Sequence, residues 1–241
     1  MVLQQQKRAF YQWNDEQNEI WSLLYKRQFP RLPKYAHSLW LEGHDILQLE
    51  EDVIPSGERL DALFQEKIDW ELVSTDVQYS DGATWFNHLV EQKFLITEYI
   101  REKDSLDYTP LPDIFHDIFG HLPLHINKRY ADLTKEYAKL LLECPRDVER
   151  GLGTIWWYTI EFGLMKEDGE VKAFGTGLMS SYEELNLAYS DKMERRPFNP
   201  VGMAQHVKSP HEFHKILWVM EDLEQLEEFV AQQRQLFRIS Y

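Results

Sequence analysis

Apolar residues recur at helical intervals over most of the chain. In residues 14–29, NDEQNEIWSLLYKRQF, the positions Ile20, Leu23, Leu24 and Gln28 share one side of a helix, and Asn14 or Asp15 is placed to cap it. RLDALFQEKI (59–68) and WFNHLVEQKFLITEYI (85–100) repeat the interval and predict two more helices. Between them, WELVSTDVQYSDG (70–82) is β-prone and then rich in turn formers, which predicts a short strand followed by a surface loop. MKEDGEVKAFG (165–175) reads as a hairpin: Asp168-Gly169 is a two-residue turn signal, and Val171 and Ala173 alternate with Glu170 and Lys172. The predicted class is mainly α with a few short β-strands. No repeat, low-complexity tract or Gly/Ser linker divides the chain, so the expectation is one domain over residues 1–241.

Composition narrows the function classes. At 43% hydrophobic and 14% aromatic, 241 residues can bury a full core. There is no apolar run of about 18 residues, and the start, MVLQQQKRAFYQWNDEQNEIW, is polar where a signal peptide would be apolar, so a cytoplasmic protein with no membrane partner is expected. Cys144 is the only cysteine, which excludes an intrachain disulfide, a thiolate zinc cluster and a Cys-x-x-Cys redox pair. A net charge of −15 argues against nucleic acid as a partner. Much of that charge reads as solvated helix surface, EDLEQLEEF (221–229) being the clearest case.

The candidate chemistry lies in DYTPLPDIFHDIFGHLPLH (107–125), where three histidines and three aspartates stand among prolines and large apolar side chains. Thr109 can cap a helix with Pro110 and Pro112 in its first turn, and Gly120 followed by Pro123 can end it. His116 is then mid-helix and His121 just past the end. On an unbroken α-helix two residues five apart point about 140° away from each other, whereas a break at Gly120 would fold His121 back toward His116. The two histidines either converge on one point or stand apart, one in the core and one on a loop. A third ligand decides between these, and GTIWWYTIEFGLM (153–165) offers Glu161 within an apolar and aromatic run. A buried carboxylate needs a cation or strong donors. No Lys or Arg precedes Lys166 on that segment, so the partner is a metal shared with His116 and His121, or else a distant arginine or backbone. Two histidines and a carboxylate suit non-haem iron(II) with positions left for oxygen and substrate, or zinc in a hydrolase, although the His-Glu-x-x-His spacing of zinc proteases is absent.

YTPLPDIFHDIFGHLPL (108–124), WWYTIEFGL (156–164) and KAFGTGLMSS (172–181) together resemble the pterin-dependent aromatic amino acid hydroxylases, and within them the bacterial members that act on phenylalanine. The resemblance runs from LYKRQFPRLPKYAHSLWLEG (24–43) to EFHKILWVMEDLEQLEEFV (212–230), more loosely at these flanks. It implies a compact, mainly helical basket around Fe(II), with tetrahydrobiopterin or another tetrahydropterin and O2 as the other reactants. The implied reaction is hydroxylation of L-phenylalanine to L-tyrosine, with tryptophan or another aromatic substrate as the alternative.

The same resemblance implies roles for particular residues. His116, His121 and Glu161 become the iron ligands, and Arg101 the residue that grips the substrate carboxylate. Tyr108, Thr109, Gly177 and Ser180 line the polar end of the amino acid, while Trp157 and Phe162 flank its ring. Trp157 favours phenylalanine, since tryptophan-directed members carry a smaller aromatic there. Trp85 stacks on the pterin and Asp117 lies near it. The loop 77–84, VQYSDGAT, departs from the family's apolar, glycine-containing pterin loop, and Leu111 replaces an acidic residue. The resemblance begins near the start and little follows it, which implies a monomer. Without the resemblance, Arg101 reads as a surface ion-pair residue, Trp157 and Phe162 as core packing, and Ser180 and Ser181 as caps or turns. Asp113 serves the helix N-terminus or orients a ligand histidine, His125 faces solvent, and Cys144 is a buried or incidental thiol.

Overall fold

The computed structural model describes residues 9–77, 81–107, 111–206 and 213–239. Tyr108, Thr109 and Pro110 lie outside the described residues, and with them the expected cap on Thr109 and part of the loop 77–84. The first helix, Asp15–Gln28, starts where its sequence says: Asn14 accepts the Gln17 N–H while the Gln17 side chain accepts the Asn14 N–H. Its buried face is Ile20, Trp21, Leu24, Tyr25 and Gln28. Leu23, expected on that face, is exposed. Helices Ser38–Leu47 and Gly57–Ile68 follow, the second capped by Ser56.

The segment 85–100 is not one helix. Gly82–Val90 is helical, Gln92 takes a left-handed φ of 58°, and Lys93–Thr97 forms a strand, β2, parallel to β1 (Glu71–Thr75) in the register Leu72↔Phe94. Phe94, Leu95 and Ile96 are all buried. A strand covered on both faces shows a continuous apolar run, and such a run joined to an amphipathic helix mimics longer helical spacing. The hairpin stands where expected. β3 (Leu164–Glu167) pairs antiparallel with β4 (Glu170–Ala173), and Asp168 and Gly169 both have positive φ, 49° and 81°, as a type I′ turn requires. β6 (Ile216–Met220) lies parallel to β3, and β5 (Glu194–Pro197) parallel to β6, giving the sheet order β4-β3-β6-β5.

The core is aromatic and surrounds one central helical segment, Phe115–His121, which continues into Leu122–His125. Phe115 and Phe119 stack at 4.6 Å, and Trp21 sets its edge against Phe115 at 5.2 Å. Helices Lys128–Glu143 and Leu223–Phe237 close the structure, the latter carrying the acidic stretch along its outer side. Among the described residues no helix is long and apolar enough to cross a membrane.

Candidate metal centre

The helix does not break at Gly120. Phe115–His121 is instead a π-helix. A π turn bonds residue i to i+5, so residues five apart stand one above the other on the same side, and this wide turn brings the imidazoles together where an α-helix would separate them. His116 Nε2 and His121 Nε2 lie 3.0 Å apart, with the rings nearly perpendicular at 88°. Asp113 caps the segment by accepting the His116 N–H at 3.1 Å. Gly120 provides a close approach rather than an end, since a Cβ there would sit 2.8 Å from the Thr176 carbonyl oxygen.

A second π-helix delivers the carboxylate. Helix Arg146–Trp156 widens into Trp157–Glu161, closed by Phe162 N–H to Trp157 O at 3.0 Å. Glu161 Oε2 then lies 3.6 Å from His116 Nε2 and 3.5 Å from His121 Nε2. Among the described residues these three form the one group of His, Cys, Asp and Glu side chains close enough to share an ion. Three atoms at such separations are equidistant from a point about 2 Å away, the bond length from a first-row metal to imidazole nitrogen or carboxylate oxygen.

The surroundings set the protonation that a metal needs. Ser180 Oγ donates to the Thr176 carbonyl at 3.1 Å and so accepts from His116 Nδ1 at 2.8 Å, which leaves the His116 Nε2 lone pair facing the centre. Burial, helped by the neighbouring His121, pushes the His116 pKa down to about 4, so the ring is neutral. Burial alone would raise Glu161. The neighbouring His121, foremost, and the Thr176 hydroxyl, which donates to Oε2 at 2.8 Å, outweigh it and hold the carboxyl at about 2. Trp156 Nε1 lies 3.4 Å from the other oxygen. Among the described residues no Lys or Arg pairs with this carboxylate. Two ring nitrogens and a half-buried anion turned toward one point fit a divalent cation.

The other expected residues fall into place unevenly. Arg101 is buried, not a surface residue, and its Nε and Nη2 grip Asp113 at 2.7 and 2.9 Å. Asp113 thus caps the π-helix of His116 and His121 and fixes the guanidinium together. Trp157 and Phe162 stand half-buried with ring centroids 4.7 Å apart. Gly177 lies beneath Phe162, where a Cβ would come within 2.6 Å of that ring. Ser180 contacts His116, and Ser181 caps helix Tyr182–Ala188. Trp85 packs edge-on against Phe94 at 4.9 Å and 6.1 Å from the His121 ring. Asp117 is buried against β2, accepting the Thr97 N–H at 2.9 Å, and burial raises its pKa to about 7. Leu111 is half-buried and Cys144 is a free, half-buried thiol.

His125 does not face solvent. It is fully enclosed by Trp70, Phe94 and Tyr130, with Nε2 3.1 Å from the Thr134 hydroxyl. Four residues at or behind the centre had no individual signal in the chain: Trp156 and Thr176, which sit within WWYTIEFGL and KAFGTGLMSS, and Glu184 and His214, which lie outside both.

A cluster of two histidines and one glutamate among aromatic rings, in a mainly helical fold, defines the proteins that hold one metal between two imidazoles and a carboxylate. The chain belongs to the biopterin-dependent aromatic amino acid hydroxylase family, which matches residues 4–241. It is similar to the phenylalanine-4-hydroxylase of Pseudomonas aeruginosa, 30% identical over 221 residues that cover 90% of this chain and 83% of that one. Tyrosine 3-monooxygenase of Drosophila melanogaster is 32% identical over 221 residues, 89% of this chain and 38% of that one. Phenylalanine hydroxylase of Chromobacterium violaceum, solved with iron(III) and 7,8-dihydrobiopterin, superposes with a TM-score of 0.86 at 29% identity, covering 94% of this chain and 84% of that one. The family decides between the two chemistries the ligand set left open, in favour of the monooxygenase over the zinc hydrolase.

Proposed function

We propose that this protein hydroxylates the ring of L-phenylalanine to give L-tyrosine, using iron(II), a tetrahydropterin and O2. The observation that carries the reading is the convergence of His116 Nε2, His121 Nε2 and Glu161 Oε2 within 3.0–3.6 Å, on the two π turns of a fold shared with phenylalanine hydroxylases. Iron held by those three atoms, with the reduced pterin, would supply the electrons that split O2 and deliver one oxygen atom to the ring.

The chain's own work is binding and placement. Ser180 and Thr176 hold His116 and Glu161 in the orientation and charge state that bind a cation. Arg101, its plane preset by Asp113, keeps N–H groups free of that pair for the substrate carboxylate, and a planar fork suits a carboxylate better than an ammonium would. Tyr108, Thr109, Gly177 and Ser180 belong to the polar end of the amino acid. Trp157 and Phe162 hold its ring and keep water from it, and the bulk of Trp157 favours phenyl over indole. Trp85, beside the His121 ring, offers a face for the pterin, and Asp117 belongs to the same cofactor side of the centre. We also propose one catalytic domain acting as a monomer in the cytoplasm. The −15 charge opposes self-association, and a reducing compartment keeps Cys144 a thiol.

Metal analysis of the purified protein, with product analysis after incubation with phenylalanine, tyrosine or tryptophan and a reduced pterin, tests the proposal. The expected result is about one iron per chain and tyrosine formed from phenylalanine. Bound zinc without hydroxylation, or faster turnover of tryptophan, overturns it. Sedimentation at micromolar concentration tests the monomer.

A further inference from the structure

We propose that His214, held by Glu184, is a positioning residue that locks the indole of Trp157 in the wall of the amino-acid site. This rests on the reading that Trp157 flanks the substrate ring. The Trp157 indole N–H donates to His214 Nε2 at 2.8 Å. An indole N–H can only donate, so Nε2 is the unprotonated nitrogen and the imidazole proton sits on Nδ1. Nδ1 in turn lies 2.9 Å from Glu184 Oε1. His214 and Glu184 are 7% and 8% exposed, so water competes poorly for either contact.

Three distant segments meet in this chain of bonds. Trp157 opens the π-helix that ends in the ligand Glu161, Glu184 lies on helix Tyr182–Ala188, and His214 leads into β6. The bond grips the indole at Nε1, far from the backbone, where rotation about the side-chain torsions moves the ring most. His214 also packs on Phe162, with centroids 4.2 Å apart and planes tilted 36°, so the two proposed walls of the ring site share one support. The carboxylate sets the imidazole tautomer, the imidazole sets the indole, and the indole sets the width of the slot for the substrate ring. A ring that has to be held against a fixed metal needs walls that do not rotate.

His214→Leu removes the acceptor, His214→Gln keeps an acceptor and a donor, and Trp157→Phe removes the indole N–H. Each variant is purified with iron bound and compared in two measurements. The first is the Trp157 indole resonance in a 1H–15N spectrum, assigned by its absence from Trp157→Phe. It should shift upfield and lose solvent protection in His214→Leu and stay near its place in His214→Gln. The second is calorimetric binding of L-phenylalanine to the iron-loaded protein. Affinity should fall about tenfold in His214→Leu and recover to within about threefold in His214→Gln, and His214→Leu should add nothing in the Trp157→Phe background. If His214→Leu fails to fold because Glu184 is stranded, His214→Leu/Glu184→Leu takes its place with the same expected results. An indole resonance unmoved by loss of His214, or an equal affinity loss with and without the indole N–H, overturns the proposal. Wild-type protein that does not bind phenylalanine overturns the functional reading instead, and the indole resonance still reports on the positioning bond.

Discussion

Thr176→Val isolates the support of the metal centre from its ligands. The substitution preserves shape and removes one hydroxyl, the group that donates to Glu161 Oε2 at 2.8 Å. Thr176 is fully buried, so no solvent takes the vacated position. A hydrogen bond to a charged group contributes about 1.5–3 kcal/mol, equivalent to about 10- to 150-fold in an equilibrium constant. Loss of partners that orient metal ligands generally weakens metal binding by about 10- to 100-fold. The two figures arise independently and overlap, so Thr176→Val should weaken iron(II) binding by about 10- to 100-fold. Thr176→Ser, which keeps the hydroxyl, should recover most of the loss. Stability of the apoprotein should fall by about 1.5–3 kcal/mol, since the same bond is lost from the folded state while the helix around position 176 keeps its backbone bonds. Anaerobic competition against a chromophoric chelator measures the iron affinity, and thermal unfolding of the apoprotein measures the stability. An affinity within about twofold of wild type would show that the hydroxyl only packs, and would refute the support role.

The ligands, the substrate clamp and the ring site can each be perturbed separately. His116→Ala, His121→Ala and Glu161→Ala should each abolish hydroxylation and lower iron content, and unchanged metal occupancy in all three would remove them as ligands. Arg101→Lys should raise the phenylalanine KM by about tenfold or more while the pterin KM stays put, because an ammonium keeps the charge near Asp113 but not the planar fork; Trp85→Ala should do the reverse, moving the pterin KM or the coupling of pterin oxidation to product, as separate steady-state titrations would show. Gly177→Ala places a methyl within 2.6 Å of the Phe162 ring and 3.0 Å of the Glu161 carbonyl oxygen, so it should destabilise the fold by about 1–3 kcal/mol and raise the phenylalanine KM, read by melting and kinetics; a variant with wild-type melting and KM would mean Phe162 moves aside at no cost.

Along the chain alone, residue types decided which groups are available for chemistry. Two histidines five residues apart and a glutamate in an apolar run are uncommon enough to mark a metal site, and Asp168-Gly169 needs nothing beyond itself to form a turn. The cap on Asn14 and the helices on either side of β1 are local in the same sense. The geometry of the centre was decided elsewhere. Whether a helix widens from i+4 to i+5 bonding leaves no mark on the spacing of apolar residues, so the π turn that brings His116 and His121 to 3.0 Å resembles, in the sequence, a helix broken at Gly120. Residues 93–97 became a strand because β1 lay beside them to complete their backbone bonds. His125 went inside, and Arg101 found Asp113, because burial depends on what other segments cover. Thr176, Glu184 and His214 act through partners 15 to 57 residues away. A side chain's donors and acceptors are intrinsic to it. Its desolvation, its tautomer and the point at which it meets other groups belong to the packed structure, because they depend on atoms that only the folded chain brings near.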